Sequence, residues 1–113
     1  KWTPKKLHIL EATENQIAFA RENGNQRLLK KAVRQYIYST YEQIGFAKQW
    51  DDPGRGRLLK TLRKKLRAGL RQGKEFDLFP LCRELSWVYE EAYPMKPFWW
   101  LYGKLGRRGE SQE

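Results

Sequence analysis

Between positions 55 and 74 the chain reads RGRLLKTLRKKLRAGLRQGK, with nine Lys or Arg and no Asp or Glu. Such a set makes and breaks no bonds; its chemistry is the neutralisation of phosphate by charge-assisted hydrogen bonds. Leu58, Leu59, Leu62, Leu66 and Leu70 run through it at helical spacing. At about 100° per residue, Lys60, Arg63, Lys64, Arg67, Arg71 and Lys74 share one arc roughly 100° wide beside the leucines. Lys60 with Lys64, Arg63 with Arg67 and Arg67 with Arg71 are like charges four apart, each costing the helix a few tenths of a kcal/mol. No glutamate is interposed to relieve them, and an external polyanion would. A solvated basic face is the plain alternative. The one-sidedness of the charge and the absence of any carboxylate over this stretch weigh against it.

Arg55 and Arg57 extend the stripe at its start. A smaller patch precedes it: Arg27, Lys30, Lys31 and Arg34 fall on one narrow arc of the preceding helical segment. There the solvated-face and phosphate-binding readings are evenly matched.

Other chemistry is hard to build. His8 is the one histidine and Cys82 the one cysteine, which excludes an internal disulfide and a Cys-based zinc site. Neither a phosphate-cradling glycine loop nor a nucleophile elbow is present. Asp51, Asp52 and Asp77 are the carboxylates a metal-dependent nuclease could use, yet nothing in their spacing selects them. Asp51 and Asp52 precede Pro53-Gly54 and read as turn and cap residues instead. No catalytic residue, metal or cofactor is expected, and the chain is read as a non-enzyme.

The elements that must carry these residues are helices. Only two Val and four Ile occur among 113 residues, against abundant Leu, Lys, Arg, Glu, Gln and Ala. Thr3-Pro4 starts a first helix, with Thr3 as hydroxyl cap. Leu7, Leu10, Glu14 and Ile17 share a face, flanked by Ile9 and Phe19. Gly24 ends this helix as a left-handed cap and Asn25 caps the next, so the two fold back as a hairpin. The second helix spans 26–49, with Leu29, Val33, Tyr36, Ile37, Thr40, Ile44 and Ala47 inward. The basic helix spans 56–72 and stops at Gly73; Gly69, among its apolar positions, permits a close crossing or weakens the last turn. In the fourth helix Leu78, Leu81, Cys82, Leu85, Val88, Tyr89 and Ala92 form the apolar face, with Cys82 a small buried hydrophobe. Tyr93-Pro94 ends it.

A short fifth element follows Pro97. Phe98, Trp99, Trp100 and Tyr102 cannot all turn inward on so short a piece; they lid the core, anchor a partner or stack on bases. The expected fold is all-α, a compact bundle of four main helices plus this short C-terminal element. Residues 1–106 would form one domain and 107–113 a disordered tail. The net charge is +10, of which 55–74 carries +9, 1–54 carries +3 and 75–113 carries −2. With no signal peptide and no long apolar run, a soluble cytoplasmic protein is the default. Because the chain begins at Lys1 and not Met, it reads as trimmed, processed or part of something longer.

The segments RLLKTLRKKLRAGLRQGK and QRLLKKAVRQYIYSTYEQI, in a short, basic, helical chain, resemble the small subunits of CRISPR effector complexes of the Cascade type. The likeness is one of size, charge and helical plan over residues 3–106. It implies a basic surface facing the target or displaced strand, and contacts with neighbouring subunits, copies of itself included. The stripe is the one feature carried over. The function expected is non-catalytic binding of DNA or RNA backbone, without strong sequence preference, inside a larger ribonucleoprotein. The alternatives are a protein–protein assembly subunit using the aromatic C-terminal segment, or a ribosomal or phage nucleic-acid-binding protein. Membrane-surface binding is disfavoured, because so small a domain needs its leucine arc for the core.

Overall fold

A computed structural model describes residues 2–76 and 82–94. The chain divides into two compact units, Lys1–Leu78 and Phe79–Glu113. All the regular elements among the described residues are helical, as the composition implied. In the first unit a 3-10 turn, Pro4–Leu7, leads into α1, His8–Glu22; α2 is Gln26–Lys48 and α3 is Arg55–Gly73, which runs on into a 3-10 turn, Lys74–Phe76.

The α1–α2 hairpin is made locally. Gly24 has φ of +63°, where a side chain would be strained. Its N–H donates to Arg21 O at 3.2 Å, and Asn25 N–H donates to Ala20 O at 2.9 Å, which is a Schellman closure. Asn25 Oδ1 then accepts from Leu28 N at 3.1 Å and opens α2. The start of α1 differs from expectation. The Thr3 hydroxyl makes no cap bond; its backbone carbonyl takes the Lys6 N–H at 3.0 Å, because the chain enters through a 3-10 turn.

Helix α2 is the central element. Leu29, Val33, Tyr36, Ile37, Thr40, Ile44 and Ala47 are buried as the period required, together with Ala32 and Gln43. It packs on α1 along one edge of this arc and on α3 along the other. Leu10, Ile17 and Ala20 of α1 and Leu62, Leu66 and Leu70 of α3 complete the core. Each fully buried leucine or isoleucine contributes about 2 kcal/mol. The buried hydroxyls are satisfied within their own helices: Thr13 Oγ1 donates to Ile9 O at 2.9 Å and Thr40 Oγ1 to Tyr36 O at 2.7 Å. At the open end of the hairpin Trp2 Nε1 donates to Gln43 Oε1 at 2.8 Å, and the Trp2 and Trp50 rings meet edge to face, 5.9 Å apart.

Gly69 sets how closely α3 approaches α2. A Cβ there would lie 3.1 Å from both Ile37 Cγ1 and Tyr36 Cδ2. Gly73, one turn on, is also buried and closes α3 in helical conformation. The α-helix ends at it, as the sequence suggested. It lies on the same buried arc as Gly69, and the 3-10 turn continues from it.

In the second unit α4, Cys82–Ala92, buries Val88 and Ala92 and exposes Trp87. Tyr89 stacks on Tyr93, ring centroids 6.4 Å apart, as the helix ends. The expected C-terminal element, with Phe98, Trp99, Trp100 and Tyr102, and the tail 107–113 lie outside the described residues.

Gly69→Leu should lower the stability of the first unit by about 1–3 kcal/mol, since the added carbons overpack the α2–α3 seam; chemical denaturation followed by circular dichroism measures it.

Candidate nucleic-acid interface

The position of α1 decides which flank of the other helices is left for the basic arcs. Two contacts tie α1 to α3. Lys65 Nζ donates to Glu14 Oε2 at 2.8 Å, and Arg21 Nη2 donates to Gln72 Oε1 at 3.0 Å. Both pairs are separated by 51 residues, so α1 and α3 run parallel in a fixed register. The Tyr36 hydroxyl donates to the same Glu14 oxygen at 2.8 Å. Glu14 therefore binds α1 to both neighbours, which explains a carboxylate on an otherwise apolar face. Burial pulls its pKa up, but the bonds from Lys65 and Tyr36 and the Lys65 charge outweigh this and leave the carboxyl below its ordinary value. Burial first, then the bond to Glu14, raises the Tyr36 phenol far above its own ordinary value.

On α3, Lys65 and Gln72 face α1, Gly69 faces α2, and the stripe begins beyond the buried leucines on the opposite side. On α2, Gln43 and Tyr36 mark the edge toward α1, and Ile37 marks the edge toward α3. Helical spacing places Lys30, Arg34, Arg27 and Lys31 just past Ile37. Both arcs thus border the α2–α3 seam on the flank away from α1. The sequence had offered two separate patches; helical spacing and these contacts put both on one flank.

Arg27, Lys30, Lys31, Arg34, Arg57, Lys60, Lys64, Arg71 and Lys74 are exposed. Arg63 and Arg67 are half-buried. Arg55 is exposed but stands apart from the stripe. Its Nη1 donates to Lys48 O at 3.3 Å, at the C-terminal end of α2. Lys65 falls on the flank that α1 covers, where it meets Glu14.

Sequence reasoning passed over Tyr38, Tyr41 and Lys48, which continue the basic arc of α2 at four, seven and fourteen residues past Arg34. The signal was the same helical spacing, followed only near the start of the helix. The Arg34 guanidinium carbon lies 5.9 Å from the Tyr38 ring centroid.

Asp52 makes the turn before α3: its Oδ2 accepts from Gly54 N at 2.7 Å. Among the described residues no three His, Cys, Asp or Glu come together as a metal site, and no helix is long and apolar enough to cross a membrane. His8 Nδ1 donates to Lys5 O at 2.7 Å, within its own turn. Family models, curated proteins and solved structures contain no match to the chain.

The Glu14 carboxyl, with its lowered folded pKa, stabilises the fold fully above the ordinary value of 4.5 and loses that contribution as pH falls through the lowered value. Glu14→Gln should cost about 1 kcal/mol at pH 7 and flatten the fall in stability between about pH 5 and pH 3. Urea midpoints across that range measure both.

Proposed function

We propose that the first unit binds the phosphate backbone of nucleic acid through the flank that α2 and α3 share. The observation that carries this reading is the juxtaposition: two sets of exposed cations, from helices separated in sequence, border one seam. On the two basic arcs Lys and Arg supply the charge, with none of the Asn, Gln or Ser that would read base edges. Such a surface tracks backbone and discriminates little between sequences. The setting we propose is a larger ribonucleoprotein in which this chain is a non-catalytic subunit, as the resemblance to the small subunits of CRISPR effector complexes implies.

A second, compatible reading is that of an assembly subunit. It draws on Ile9, Phe19 and Phe46, large apolar side chains left exposed; Phe19 is 59% accessible.

The chain should retain unrelated oligonucleotides equally in a gel shift, and a thousandfold preference for one sequence would overturn the reading. Replacing Lys60, Lys64 and Arg71 together by Ala, all exposed, should weaken binding at every sequence by roughly tenfold or more while leaving the helical signal intact. Unchanged affinity would reduce the stripe to a solvated face.

A further inference from the structure

Gly45 sits in the interior of α2, where glycine costs helix stability. Helix α3 has a packing reason for Gly69, whose Cβ would press on α2, but α2 has no such reason for its own glycine. A Cβ at Gly45 would meet nothing within 4 Å, and the residue is exposed. Its φ is not positive, so no backbone requirement explains it either.

Its position does. Gly45 falls on the same arc as Arg27, Lys30, Lys31 and Arg34, just beyond the two tyrosines that continue it. A helical side chain leans toward the N-terminus and covers the turn before it. A side chain at position 45 would therefore lie over Tyr41, four residues back. With glycine there, no side chain covers that turn; Tyr41 is part-exposed, and Lys48 follows one turn further along. The arc thus runs from cations through aromatic rings to a gap and then to another cation. Backbone binding needs the cations alone; a gap beside an aromatic ring serves something flat.

We propose that the gap at Gly45 seats an unpaired nucleobase stacked on Tyr41, so that the preferred ligand is single-stranded nucleic acid. The proposal rests on the phosphate-binding reading and narrows it. The cations hold the strand, and the ring takes a base that a duplex keeps inside its own stack. Stacking of this kind tolerates any base, in keeping with weak sequence preference.

The test uses the full chain and fluorescence anisotropy with four labelled probes of about 20 units: oligothymidine, oligouridine, a mixed duplex, and an abasic strand carrying phosphates without bases. The wild-type chain should bind at least one of the two base-bearing strands roughly tenfold more tightly than the abasic strand, the contribution of one stacked base. Gly45→Gln should abolish that advantage and leave the abasic strand and the duplex unaffected. It should also raise Tm by about 4 °C, because a helix former replaces glycine, so loss of binding cannot come from loss of fold. Tyr41→Leu should remove the same advantage. If base-bearing and abasic strands bind equally, or if Gly45→Gln leaves their ratio unchanged, the stacking proposal is overturned while the phosphate reading stands. If no probe binds, both fail.

Discussion

The approach of α3 to α2 at Gly69 is the constraint on which the first unit depends. With no side chain at that point, the Tyr36 and Ile37 side chains of α2 can rest against the α3 backbone. Leu62, Leu66 and Leu70 follow into the core. Tyr36 is held from the other side as well, by its hydroxyl on Glu14, and Glu14 takes the Lys65 ammonium on the same oxygen. One tyrosine of the central helix thus meets both neighbours, and one carboxylate closes the circuit among three helices.

The distribution of charge follows from this packing. Once α1 occupies one flank of α3, the lysine on that flank needs a partner, and Glu14 provides it. The cations of the stripe lie on the other flank. The same division acts on α2, whose edge toward α1 is buried and whose margin toward α3 is basic. Like charges are held side by side on α3 at a cost to the helix, and the core leucines on its other face offset that cost.

Much of this was legible in the sequence, for local reasons. Gly24-Asn25 specified a helix end and a helix start in two adjacent residues. The apolar period of α2 named seven buried positions without error, since a helix covered on a broad arc keeps a regular pattern. The stripe could be placed on one arc because position on a wheel needs nothing but spacing. What could not be read was the relation between wheels. That the arcs of α2 and α3 border one seam depends on the side α1 takes, which is settled by the long-range contacts of Glu14 and Arg21. The inward turn of Lys65 depends on the same contacts. Arg55 looked like the start of the stripe and is turned to the end of α2. Gly73 ends α3, as its type suggested, and is a packing residue as well, a second purpose that composition does not reveal.

The account stands or falls on whether the shared flank of α2 and α3 acts by neutralising phosphates. The slope of log affinity against log salt concentration, measured with a single-stranded oligonucleotide, tests it most directly. Six or more cations on phosphates give a slope of about −4 to −5 or steeper. A slope near zero, with binding retained at high salt, would mean that the ligand is held by other forces and that the basic flank is not the site.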